Sequence, residues 1–178
     1  MYNMNDLLNK VYIGVQRESN ADIAKRKTPF DGIEQYLWVK VDEERSFKVP
    51  ASLETEVLWE TAKANTFAET QIISLAKIMS QAFGFEVPEM EPAQYVLSNR
   101  SGFRGAACVL DRTTLEDFAV HLEVDGFFMF PSSIHEVILV PMEDYMSKSD
   151  FDNMVREINS TTVEPNEQLG DCAYEIRF

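Results

Sequence analysis

Cysteine, histidine, long apolar runs and, beyond Lys48, positive charge are all scarce in this 178-residue chain, and each shortage closes off a class of protein. The two cysteines, Cys108 and Cys172, lie far apart in sequence, which gives neither a disulfide framework nor metal-ligand spacing. A reducing compartment, the cytoplasm, is the plain expectation. The two histidines are His121 and His135. His135 opens HEVIL, which is not the zinc-protease pattern H-E-x-x-H, and the H-L-E at His121 is not followed by the P-C-x-x-C of zinc deaminases. No apolar run approaches the roughly 20 residues that span a bilayer. The first residues, MYNMNDLLNKVYIGVQRESN, lack the basic start and uninterrupted apolar block of a signal peptide, so none is expected. The P-loop and dinucleotide-binding patterns are missing as well, and no cofactor or metal is implied.

The shortage of positive charge is the most informative. Net charge is -14 and the sequence pI is about 4.5. Eight of the 16 basic and eight of the 30 acidic residues precede Val49, so the whole acidic excess lies after Lys48. Such a surface repels nucleic acid and anionic membrane, and neither is expected as a direct partner. It favours solubility, or carboxylates standing in for phosphates in a basic site on another protein. The carboxylates that would form such a track include Glu54, Glu56, Glu60, Glu86, Glu89 and Glu91.

Apolar residues at 45% and charged residues at 26% are ordinary for a folded soluble domain, and the length suits a single one. Leu7, Leu8, Val11, Tyr12 and Val15 recur at helical spacing and predict an N-terminal helix, followed by a mobile polar connection up to about residue 33. Residues 36–41 and 45–49 predict a hairpin around Asp42, Glu43 and Glu44. Pro50 and Ser52 open a predicted helix reaching Asn65 with Leu53, Val57, Leu58, Thr61 and Ala62 inward. A second helix is predicted over 68–83, with Gly84 as its C-terminal cap. FEVPEMEP reads as a loop. Strands are predicted over 94–97 and 106–110, joined by SNRSGFRG. Thr113 to Glu116 has the form of a capping box before a helix that turns Leu115, Phe118, Ala119 and Leu122 inward and leaves His121 in solvent. Two apolar runs, FFMF and VILV, flank PSSIHE as a further hairpin. A helix over 149–159 and an alternating strand over 172–178 end the chain. Hairpins mean antiparallel pairing, so the expected fold is α+β: a twisted, mainly antiparallel sheet with helices packed on one face.

Two segments concentrate chemistry. PSSIHE contributes Ser132, Ser133, His135 and Glu136. SNRSGFRG contributes Asn99, Arg100 and Arg104 beside Gly102 and Gly105, and amides freed by glycine together with arginine forks suit a carboxylate or phosphate. A serine nucleophile needs a base within reach and an acid to orient that base. On a strand, Ser133 and His135 share a face whereas Glu136 points to the other. No G-x-S-x-G elbow accompanies them. The alternative is structural: the serines satisfy backbone groups at a turn, and His135 bonds across the sheet.

The runs SNRSGFRGAACVL, FMFPSSIHEVILVP and NMVREINSTTVEPNEQLGDCAYEI resemble an uncharacterised bacterial domain-of-unknown-function family common in anaerobic gut bacteria. Its recurring pattern is V-L-[ST]-N…G-A-A…L-P-S-S-[IV]-H-E-[VI]-[IL]…P, then M-V-x-E-[IV]-N and a terminal tyrosine strand. The likeness covers about residues 53–178 and is carried by Tyr95 to Asn99, Gly105 to Ala107, Pro131 to Glu136 and Met154 to Asn159. Phe130 replaces the more usual leucine before the proline. The resemblance implies a cytoplasmic bacterial protein, with a mobile element as one source, and brings no established activity. The expected function is a non-catalytic accessory or regulatory protein that contacts another protein, one with a basic surface included. The alternatives are an acidic nucleic-acid-mimicking inhibitor and a ligand-binding protein or hydrolase that uses PSSIHE.

Overall fold

Val11, Ile13 and Val15 alternate with Tyr12 and Gly14, and that period of two wins over the helical spacing expected for the N-terminus. In the computed structural model, which describes residues 7–42, 45–143 and 147–178, Leu7 and Leu8 are the helical residues described ahead of strand β1 (Val11–Arg17). The helical reading mixed the two faces of a β-branched strand. The expected mobile connection holds strand β2 (Lys25–Lys27), a bridge from Ile23 to Pro50 and a fully buried Ala24. Strands β3 (Ile33–Lys40) and β4 (Ser46–Lys48) form the predicted hairpin, with Glu43 and Glu44 outside the described residues. The first sheet runs β1-β3-β2 with β4 also on β3, all antiparallel. The outer edge of β1 is closed by side chains. Thr66 Oγ1 accepts the Ile13 N–H at 2.8 Å, and Asn65 Nδ2 donates to the carbonyls of Leu8 and Val11. An edge satisfied this way is protected from stray pairing.

The helix predicted from Pro50 begins instead with a short 3-10 turn (Ala51–Leu53). Helix α1 (Glu56–Phe67) starts after Thr55, whose side chain caps Leu58. Its buried face is Leu58, Trp59, Ala62 and Thr66, leaving Leu53 and Val57 in solvent, because the later start rotates the stripe. The single helix expected over 68–83 is split. Thr70, Ile72 and Ile73 are β-branched and pair with a neighbouring strand as β5 (Thr70–Ser74). Ser74 then caps helix α2 (Leu75–Phe83). Gly84, at φ +75°, is the predicted left-handed cap.

The second sheet has the order β5-β6-β8-β7-β9, with β6 (Tyr95–Asn99), β7 (Gly126–Phe130), β8 (Val137–Pro141) and β9 (Tyr174–Arg177), again antiparallel. The strand expected over 106–110 is a 3-10 helix (Gly105–Leu110) with its first five residues buried. Strand β6 already pairs on both edges, so an apolar segment next to it has no edge left to join. Helix α3 (Arg112–Leu122) is capped by Asp111, which accepts from the Thr114 N–H and hydroxyl, rather than by Thr113. Helix α4 (Lys148–Thr161) turns Phe151 and Val155 inward.

The α+β class and antiparallel pairing are as expected, with the strands divided between two sheets. One core joins them: Ile13, Leu37, Val39, Leu58, Leu97, Leu115, Phe127 and Met129 all belong to it. Phe128, Phe130 and Val140, on the other face of β7 and β8, pack on Phe151 and Val155 of α4. Cys108 lies within the main core, where burial pushes its thiol up to about 11. Thiol labelling of the native protein at neutral pH is therefore expected to modify Cys172 and spare Cys108 until unfolding, read by peptide mass spectrometry. Labelling of Cys108 without unfolding would mean that this part of the core opens.

Candidate functional site: two loops docked through His135

The β7–β8 turn is built from its own side chains. The Ser132 N–H donates to the Phe130 carbonyl, and the Ser133 N–H to the Glu136 carbonyl. Ser133 Oγ accepts the His135 backbone N–H at 3.0 Å. The next segments dock onto this turn. The Ala106 N–H reaches the Ile134 carbonyl, the Ile134 N–H reaches that of Glu167, and Ser98 Oγ donates to the His135 carbonyl at 2.8 Å. His135 Nδ1 accepts the Arg104 backbone N–H at 3.1 Å, so the neutral ring carries its proton on Nε2, 3.5 Å from Glu167 Oε1. Its ring centre lies 5.5 Å from that of Phe103. The structure thus brings together the two segments singled out by sequence.

The pairing is not that of a nucleophile and its base. Ser133 Oγ is bonded to the main chain, and both imidazole nitrogens face other partners. Glu136 contributes its carbonyl to the turn. Asn99 organises the other loop: Nδ2 donates to the Phe103 carbonyl, and Oδ1 accepts from Ser101 Oγ. Arg100 is exposed. Gly105 sits where a Cβ would meet Ser98 Oγ at 2.2 Å, the Asn99 nitrogen at 2.4 Å and the His135 carbonyl oxygen at 2.8 Å, so the contact between the loops admits no side chain.

A model of a family of unknown function, DUF5688, matches residues 46–177. The chain belongs to that family. No curated protein and no solved structure matches it. Both docked loops fall inside the DUF5688 match, whereas β1, β2 and β3 precede it.

Arg104 links the DUF5688 region to those preceding strands. It is one of two non-glycine residues with positive φ, at 55°, among the described residues. Its Nη1 donates to the Tyr36 hydroxyl, and its guanidinium lies 5.2–5.8 Å from the ring centres of Phe103, Trp38 and Tyr36. Burial pushes the Tyr36 phenol up, and the Arg104 charge partly offsets this. Lys48, over the same ring at 4.5 Å, is pushed down by burial and then by Arg104. Tyr36, Trp38, Lys48 and Glu167 were not among the residues singled out by sequence. The signal for the first two was the apolar, aromatic run of β3, which reads as core.

A cavity of about 590 Å³ lies elsewhere and is lined by Trp59, Lys63, Arg112 and Tyr174 among others. Among the described residues no group of three or more His, Cys, Asp or Glu side chains is placed to hold a metal, and no helix is long and apolar enough to cross a membrane. If His135 serves as a docking post, His135→Ala should cost about 1–3 kcal/mol through the orphaned Arg104 N–H, seen in denaturant unfolding. An unchanged midpoint would remove that role.

Proposed function

We propose that this DUF5688 member is a non-catalytic accessory or regulatory protein of the bacterial cytoplasm that works by contacting another protein. The observation that carries this reading is an exposed aromatic pair at the end of α2. Phe83 and Phe85 are 58% and 64% exposed, and their rings stack at 5.7 Å with an interplanar angle of 16°. Stacking two phenyl rings in water hides one face of each and leaves the others to a partner, and aromatic anchors dominate binding energy at interfaces. Only Ala76 of α2 is buried, so the helix holds the pair out rather than contributing to the core.

Exposed Glu86, Glu89 and Glu91 follow directly, a rim suited to a basic surface around an apolar pocket. Phosphate mimicry draws less support, since Glu54 and Glu56 are engaged by Arg26. A photo-crosslinking residue placed at position 85 should trap one discrete protein in native cytoplasm, while the same residue at exposed position 120 should not. Equal trapping at both positions would remove the patch as a docking point.

A further inference from the structure

The outer face of the first sheet carries positive charge that the acidic balance of the chain does not foreshadow. Strand alternation and register set Tyr12, Tyr36, Trp38, Lys40 and Lys48 on that one face. The loop carrying Arg100 and Arg104 lies over it. Among the described residues, Arg104, Arg100, Lys40 and Lys48 make no salt bridge, although the chain holds 30 acidic residues. Lys48 is held by Gln16 instead of a carboxylate.

Two buried donors here lack an acceptor: Trp38 Nε1, in a side chain only 4% exposed, and Arg104 Nε. A buried donor left unpaired is destabilising, and a ligand oxygen would remove that penalty. Arg104 Nη1 is engaged by Tyr36 and its Nε is buried, so the cations open to a ligand are the exposed Arg100 and Lys40. Beside Trp38 a cavity of about 370 Å³ is lined by Tyr12, Lys40, Arg100 and Phe103, within the range of small-ligand pockets. Burial and then Glu69, the carboxylate in the same lining, push the Tyr12 phenol up.

Phe103 covers the indole edge-on at 5.7 Å and is itself 43% exposed. In its turn after β6 the Gly102 N–H donates to the Asn99 carbonyl, Asn99 Nδ2 to the Phe103 carbonyl, Ser101 Oγ to Asn99 Oδ1, and the Phe103 N–H to Ser101 Oγ.

We propose that this face is a binding site for a small oxyanion carrying a planar ring, its carboxylate or phosphate on Arg100 and Lys40 beside the Trp38 indole and its ring against Phe103 and Tyr12. The site is separate from the Phe83–Phe85 patch, so it stands or falls independently of partner binding. The test follows the indole N–H resonances of Trp38 and Trp59 in the full chain during titration with adenosine monophosphate, benzoate, inorganic phosphate and uncharged adenosine. Trp59 Nε1 already donates to Glu54 at 2.7 Å and serves as the internal reference.

Saturable movement of the Trp38 resonance with adenosine monophosphate or benzoate is expected, with Trp59 still and adenosine without effect. The arm that responds distinguishes a phosphate from a carboxylate ligand. The double variant Arg100→Gln with Lys40→Gln, both exposed, should weaken binding about tenfold or more, the loss of charged hydrogen-bond partners. Its salt dependence should flatten at the same time, because those two cations supply the long-range attraction. A Trp38 resonance unmoved by every anion, an equal response to adenosine, or affinity unchanged in the double variant would overturn the proposal.

Discussion

Phe127→Ala is expected to lower the unfolding free energy by about 3–5 kcal/mol, the largest effect of any single truncation proposed here. Phe127 is fully buried in β7, which pairs with β8 on one side and β9 on the other. Its ring stacks on Phe118 of α3 at 5.6 Å and 13°, and meets Phe178 edge-on at 6.4 Å. Truncation therefore removes the transfer energy of the ring and leaves a cavity between sheet and helix that neither can fill without moving. Phe118 is only partly buried, so Phe118→Ala should cost less than Phe127→Ala. Denaturant unfolding of both variants checks the order, and equal costs would mean that the main core is not centred on β7.

Gly105→Ala is the second large effect, and it tests how the two loops are joined. The new methyl would overlap two main-chain atoms, the Asn99 nitrogen and the His135 carbonyl oxygen, as well as Ser98 Oγ. Main-chain atoms do not turn aside as a flexible side chain does. The 3-10 helix must shift as a unit, at about 1–3 kcal/mol or more. The shift also strains the Ser98 bond to the His135 carbonyl and the Arg104 bond to the imidazole. A loss of stability with a changed His135 ring environment by NMR is expected. A stable variant with an unperturbed His135 would show that the loops are not locked at this glycine.

What was legible in the sequence was local. FFMF and VILV flank a proline-containing break too short for anything but a turn, and they pair as β7 and β8. Leu115 and Ala119 fall inside α3 at the expected phase. What failed depended on partners far away along the chain. Residues 106–110 are apolar enough for a buried strand, but β5 and β8 already occupy both edges of β6, a fact of topology that no window of sequence contains. Val11 and Ile13 became strand because β3 and α1 supply partners for their backbone.

The site divides along the same line. PSSIHE and SNRSGFRG stand out by composition, and both are turns. That Arg104 would reach Tyr36 and Trp38 is a contact between segments more than sixty positions apart in sequence. Charge counting alone concealed it, because these cations are few in number and unpaired in space.

The central claim is that this DUF5688 chain acts through a partner held at the exposed aromatic pair. The most direct measurement is quantitative capture of the crosslinked partner by the full-length wild type, by Phe83→Ser with Phe85→Ser, and by Glu86→Gln with Glu89→Gln and Glu91→Gln, each at low and high salt. An aromatic anchor is insensitive to screening, whereas a carboxylate track loses its reach as the screening length falls from about 8 Å to about 3 Å between physiological and molar salt. The account predicts that capture persists at high salt in the wild type, is lost in the double phenylalanine variant, and is slowed but not abolished in the glutamate variant. Capture that vanishes with salt and is indifferent to Phe83 and Phe85 would contradict it.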